Sequence, residues 1–288
     1  MRGPLIPSTG TRDIAVLSEI SRRIRKYAIE MTTAAGSGHA TSALSIAEIM
    51  AVLYFSELRV DPLRPDDPDR DRFILSKGHG CPALYAALAM RGFFPEEELE
   101  TFRRLGSRLQ GHPDVLKCPG VEMSTGSLGQ GLSVGMGMAL AARLDGRAYR
   151  VYVLLGDGEC QEGQVWEAAM SAAHYALDNL VAIVDRNRIQ QSARTEELCA
   201  LEPLGAKWEA FGWTALEADG HNIPALLDVF AEARRVKGKP VVIIARTKKG
   251  KGISFLEDRL GWHGKPLNPE QRELALKELG RDGGASFV

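Results

Sequence analysis

Residues 149–185, YRVYVLLGDGECQEGQVWEAAMSAAHYALDNLVAIVD, decide the architecture. YRVYVLLG (149–156) is a continuous apolar run, as expected of a strand covered on both faces of a parallel sheet. It breaks at Gly156-Asp157-Gly158. A helix is expected over about 162–177, and a second apolar run, NLVAIVD (179–185), follows. A right-handed crossover through that helix brings the ends of both strands to one sheet edge.

Working outward, RFILS (72–76), WTALEA (213–218) and PVVIIART (240–247) read as further strands. Helices are expected at 12–33, 45–56, 82–91, 95–104 and 223–236, and in the second half of a glycine-rich stretch over 125–146. The stripe of the 12–33 helix is Ile14, Leu17, Ile20, Ile24, Tyr27 and Ala28. Proline and aspartate make 61–70 a loop, and the tail reads as a helix and a frayed end. This alternation predicts an α/β fold, doubly wound, with a mainly parallel sheet and helices on both faces. Ligands of such folds sit at the carboxyl ends of the strands. One domain over 1–288 is expected, with loosely ordered ends at 1–11 and 281–288.

The 288 residues are 44% hydrophobic, and 36 basic against 37 acidic residues give a net charge of −1, so bulk charge does not argue for nucleic acid or an acidic membrane. Four cysteines, Cys81, Cys118, Cys160 and Cys199, form no C-x-x-C pair and read as reduced thiols of a cytosolic protein. No secretory pattern and no membrane-spanning stretch is evident.

The chemistry concentrates at Gly156-Asp157-Gly158. The glycines allow a sharp turn and close approach of the backbone, and N–H groups near a helix start can bind a diphosphate. Asp157 offers a hard oxygen suited to magnesium, which shares its shell with phosphates and water. Asn187 lies 30 positions further on, past the second strand, with the Ile189 carbonyl just beyond. Asp157, Asn187 and Ile189 form a candidate metal set that leaves room for phosphate oxygens. Four of the six histidines, His39, His79, His112 and His263, sit beside glycine in short loops, a setting suited to phosphate and hydroxyl contacts or proton exchange. TGSLGQG (125–131) offers a backbone platform for a planar ring.

The GDG pair with Asn187 resembles the thiamine-diphosphate signature. SGHATS, SKGHG, GHPD, TGSLGQG, GDGECQEG, DRN-x-I and WHG together occur in the order seen in transketolases, over about residues 12–265. The chain is most similar to the separate N-terminal subunit of split transketolases, which share the KGKGISF…GWHGKPLN ending. The resemblance implies a two-carbon ketol transferase that uses thiamine diphosphate and Mg2+. It assigns magnesium to Asp157, Asn187 and the Ile189 carbonyl, and the diphosphate to Gly158, His79 and His263. Gly126 and Leu128 would lie by the aminopyrimidine ring, with His39, His79 and His112 facing the sugar. Glu162 resembles an acid that links paired cofactor sites, and also reads as a first-turn glutamate favoured by the helix dipole. The resemblance further implies a pyrimidine-binding C-terminal subunit as partner, in an α2β2 heterotetramer, and sugar phosphates as substrates. Gln191 stands where larger transketolases often carry an apolar residue, and no proline follows His39. A 2-oxo acid dehydrogenase subunit, a deoxyxylulose-phosphate synthase fragment and a non-catalytic scaffold are the competing readings.

Overall fold

The computed structural model describes residues 10–281. In chain order its elements are α1 (Ile14–Ala34), α2 (Ala40–Leu44), α3 (Ala47–Val52), β1 (Arg72–Leu75), α4 (Cys81–Arg91), α5 (Gln130–Leu144), β2 (Val151–Gly156), α6 (Gly163–His174), β3 (Leu180–Arg186), β4 (Ile189–Gln190), β5 (Ala193–Arg194), α7 (Thr195–Leu198), α8 (Leu204–Ala210), β6 (Thr214–Asp219), α9 (Ile223–Arg235), β7 (Val241–Arg246) and α10 (Pro269–Arg281).

Five strands form one parallel sheet in the order β1-β2-β3-β7-β6. Successive side chains of a strand point to opposite faces, and the apolar runs supply both faces. Tyr152, Leu154, Val181, Ile183, Val241 and Ile243 enter the core beneath α1, α3, α4 and α9. Val151, Val153, Leu155, Ala182, Val184, Val242 and Ile244 enter the core beneath α5, α6 and α8. This two-sided burial is why the strands read as unbroken apolar segments.

The chain steps one way from β1 to β3, goes out to the edge at β6 and returns to β7. The direction therefore reverses at the β6 edge, and the carboxyl ends of the strands are the expected ligand position.

Three expectations need correction. The helix expected at 45–56 begins two residues late, with α3 at Ala47, and its last part widens into a π turn over Leu53–Glu57. Ser45 stays outside the helix, with its hydroxyl 2.7 Å from Asp185 and 3.1 Å from the Ser42 carbonyl. The helix expected at 95–104 is a 3-10 turn over Glu96–Thr101. Its three consecutive glutamates supply no apolar stripe, and Phe102 leaves helical geometry to pack its ring against Tyr85. Ile14 is half exposed rather than part of the buried stripe of α1. Gly10 and Thr11 both donate their amides to the Phe55 carbonyl at 3.0 Å; the remaining residues of the two expected loose ends lie outside the described residues, apart from the backbone of Arg281, which closes α10.

Candidate functional site

Four strands deliver polar groups to a crevice at their carboxyl ends. β1 is followed by Ser76-Lys77-Gly78-His79, β2 by Asp157-Gly158, β3 by Asn187-Arg188-Ile189, and β7 by Thr247-Lys248-Lys249. The register pairs Gly156 with Asp185, so the two inner turns start side by side.

Asp157 is buried and caps the turn that follows it. One carboxylate oxygen accepts the Gly158 amide at 2.8 Å. The other accepts the Arg188 amide at 2.5 Å and the Arg186 guanidinium at 3.2 Å. The carboxylate of Asp157 thus lies against the backbone between Asn187 and Ile189. Burial and the neighbouring Asp185 charge raise its pKa, against the pull of those donors. Asn187 points its amide nitrogen at Asp185, 2.8 Å away, and its oxygen accepts the Ile189 amide at 3.1 Å. The Ile189 carbonyl accepts from the Lys249 ammonium at 3.1 Å. A cation therefore already stands at this carbonyl.

Beneath the crevice lies a fully buried ion pair, Lys77 Nζ to Asp185 Oδ2 at 2.5 Å. Ser45 and Thr247 also donate to Asp185, and Lys77 donates to the Ser42 carbonyl at 3.1 Å. Burial opposes ionisation of Asp185, but the Lys77 charge and these hydrogen bonds outweigh it and hold the carboxyl below its ordinary range.

Three of the four loop histidines form a triangle. Ring centroids are 5.0 Å apart for His39 and His79, 4.9 Å for His39 and His263, and 5.3 Å for His79 and His263. The Lys249 ammonium is 2.9 Å from His263 Nδ1. Burial, followed by the surrounding positive charges, depresses His39 to about 4 and His263 to about 3, and lowers His79 strongly. Lys249 falls to about 8 through burial and the nearby Lys77 charge. The crevice is thus crowded with groups that are costly to charge together, and a bound polyanion would relieve that cost.

His112 stands apart from the triangle. It is exposed, and its ring packs 3.5 Å from where a Cβ on Gly126 would lie, so it belongs with the platform loop. Arg103 lends positive charge to both His39 and His112. Gly126, Ser127 and Leu128 are exposed at the rim. Glu162 is exposed at the cap position of α6 and makes no capping hydrogen bond.

At Gly158 a Cβ would fall 2.3 Å from Gln190 Oε1 and 2.9 Å from Gln190 Cβ, so only glycine fits. Buried polar atoms without a partner border the crevice, namely His39 Nδ1, Thr125 Oγ1 and Gln190 Oε1. Unsatisfied atoms clustered around inward-facing cations and a bare glycine turn fit a bound, oxygen-rich group. Among the described residues no three His, Cys, Asp or Glu side chains form a metal-holding group.

Sequence reasoning missed Lys77, Asp185 and Lys249. Each lies at or just beyond the carboxyl end of an apolar strand, and that position was the available signal.

The fold and this cation-rich crevice define an anion-binding domain of the doubly wound α/β class. The chain belongs to the transketolase family: residues 16–288 match the family model described as the transketolase thiamine diphosphate binding domain. It is 47% identical over 260 residues to the 6-deoxy-6-sulfo-D-fructose transketolase subunit SqwG of Clostridium sp. strain MSTE9, covering 90% of this chain and 94% of that protein. It is 48% identical over 267 residues to the transketolase of Pongo abelii, covering 92% of this chain but 42% of that protein. The solved transketolase of Leishmania mexicana superposes with a TM-score of 0.87 at 34% identity, covering 94% of this chain and 42% of that one. The chain thus spans less than half the length of the large relatives and nearly all of a relative named as a subunit.

Proposed function

We propose that this chain is the diphosphate-binding subunit of a transketolase, moving a two-carbon ketol unit from a ketose phosphate to an aldose phosphate once a separate pyrimidine-binding subunit joins it. The observation that carries the reading is the Asp157 carboxylate lying 2.5 Å from the Arg188 amide, against the Asn187–Ile189 turn and below the histidine triangle. Near-complete coverage of a relative named as a subunit supports the split arrangement. An α2β2 heterotetramer is its natural assembly. Among the described residues no helix is long and apolar enough to cross a membrane, and the cysteines described are all free thiols, which suits the cytosol.

In this reading Asp157, Asn187 and the Ile189 carbonyl hold Mg2+. The Gly158 amide, His79, His263 and Lys249 take the diphosphate, and Gly126 and Leu128 border the aminopyrimidine. Bound thiamine diphosphate supplies the carbon nucleophile that carries the two-carbon unit. His39 and His79, held neutral near pH 7 by their depressed pKa values, donate and accept hydrogen bonds at substrate hydroxyl and carbonyl oxygens. His112 and Arg103 line the outer part of the same wall. Glu162 is exposed at the start of α6, and in this reading it meets a neighbouring subunit.

The test is ketose-to-aldose transfer measured with this chain alone and with a pyrimidine-module partner, alongside calorimetry with thiamine diphosphate and Mg2+. Activity is expected only in the mixture. Full activity of the isolated chain overturns the split arrangement, and absence of cofactor binding in the mixture overturns the enzymatic reading.

A further inference from the structure

Glu159 has no role in the site as described so far, yet its buried carboxylate touches three of the segments that build it. Only 2% of the residue is exposed. One oxygen accepts the Gly129 amide at 2.8 Å and also the Ser76 hydroxyl. The other accepts the Gly156 amide at 2.9 Å. Ser76 follows β1 and leads to Lys77 and His79. Gly156 ends β2 and leads to Asp157 and Gly158. Gly129 closes the platform loop that carries Gly126 and Leu128.

We propose that Glu159 is a positioning residue that latches the platform loop to the two strand ends and so sets where the aminopyrimidine ring rests relative to the diphosphate turn. This rests on the cofactor reading above. Residues 126–128 are exposed and have little packing of their own to hold them. Their place follows from Gly129, which sits at φ +85 with its amide on Glu159, and from Gly131, where a Cβ would lie 2.3 Å from Ser76 Oγ. The loop is thus drawn onto Ser76 at one point and onto Glu159 at the other.

All three donors to Glu159 are neutral, and they need acceptors on both sides of one side-chain terminus. An ionised carboxylate accepts through two oxygens and donates nothing. Glutamine has one acceptor oxygen, so its amide nitrogen would face the N–H of Gly129 or of Gly156, neither of which can accept a hydrogen bond. Aspartate is one methylene shorter and leaves the three partners out of reach together. Glu159 does not touch the reacting atoms, so its loss acts through the loop.

Hydrogen exchange on the full chain, followed by cofactor titration of the chain assembled with its pyrimidine-module partner, tests this. In Glu159→Gln one of the Gly129 and Gly156 amides loses its acceptor and is expected to exchange at least about tenfold faster, with the Val153 and Ile183 amides unchanged. The thiamine diphosphate concentration for half-activation is expected to rise by about tenfold, while kcat at saturating cofactor stays within about twofold. Ser76→Ala, which keeps the carboxylate and both amide bonds, shifts half-activation in the same direction by a smaller factor, and carries the test if the glutamine variant does not fold. Unchanged exchange at Gly129 and Gly156, or unchanged half-activation despite faster exchange, overturns the proposal. A fall in kcat with half-activation unchanged overturns it too. If the wild-type assembly binds no thiamine diphosphate, the cofactor reading fails on its own, whatever the exchange pattern, and the role assigned to Glu159 falls with it.

Discussion

Gly158→Ala is the substitution whose cost can be worked from distances. The new methyl would lie 2.3 Å from Gln190 Oε1, 2.9 Å from Gln190 Cβ and 3.1 Å from Gln190 Cδ. The amide end of Gln190 can swing away. Its Cβ cannot, because it is fixed to the two-residue strand β4, which pairs with Ala193-Arg194. The hairpin must therefore shift by a few tenths of an ångström, and with it the Ile189 carbonyl next door. Overpacking of this kind costs about 1–3 kcal/mol, which for a chain of this size lowers Tm by about 2–5 °C. Differential scanning calorimetry of six proteins separates the two parts of the clash: wild type, Gly158→Ala, Gly158→Ala with Gln190→Ala, Gly158→Ala with Gln190→Gly, and the two Gln190 single variants against which the doubles are read. If the Cβ contact dominates, only the glycine double recovers stability. If the amide end dominates, the alanine double recovers it equally. A Gly158→Ala protein that melts with the wild type would refute the close approach altogether, and with it the reason given for glycine at this turn.

Asp157→Ala removes the one carboxylate at the proposed metal position, and magnesium-dependent binding of thiamine diphosphate is expected to weaken by on the order of 100-fold or more in titration calorimetry. Lys249, lowered to about 8, is increasingly neutral above that pH. Affinity for thiamine diphosphate is therefore expected to fall by up to about tenfold per pH unit above 8, a dependence that Lys249→Met flattens. The stability of the ligand-free chain should fall on acidification. His39 and His263 are depressed to about 4 and about 3 from an ordinary value near 6.5, so the unfolded chain takes up protons that the folded chain refuses. Stability is then complete above about pH 6.5 and lost as pH falls towards 4 and 3, by about 1–2 kcal/mol after discounting for partial solvent access, as urea titrations across that range will report.

The apolar runs at 149–156, 179–185 and 240–247 disclosed the parallel sheet because residues buried on both faces leave no alternation to mislead. The ends of those runs located Asp157 and Asn187 for the same reason. What sequence reading could not reach was side-chain reach across the sheet. Ser45 stays outside the helix expected at 45–56, with its hydroxyl on Asp185, 140 residues away in the chain. Glu96, Glu97 and Glu98 sit in a tight 3-10 turn where a helix was expected, since Phe102 gains more by packing against Tyr85. Bulk charge says nothing of individual positions, and Lys77, Lys249, Asp185 and Glu159 are all buried. His39, His79 and His263 were recognisable as loop histidines, but their meeting in a triangle that leaves His112 outside is a property of the fold.

The Lys77–Asp185 pair spans the sheet from the strand after which His79 stands to the strand after which Asn187 stands. Because its donors and acceptors are all internal, it forms when the sheet closes and does not wait for a ligand. The cradle above it is consequently pre-organised, and little of the binding energy goes into rearranging it. Departure of a ligand should leave the mould standing, so the protein can exchange a spent or damaged cofactor for a fresh one without refolding.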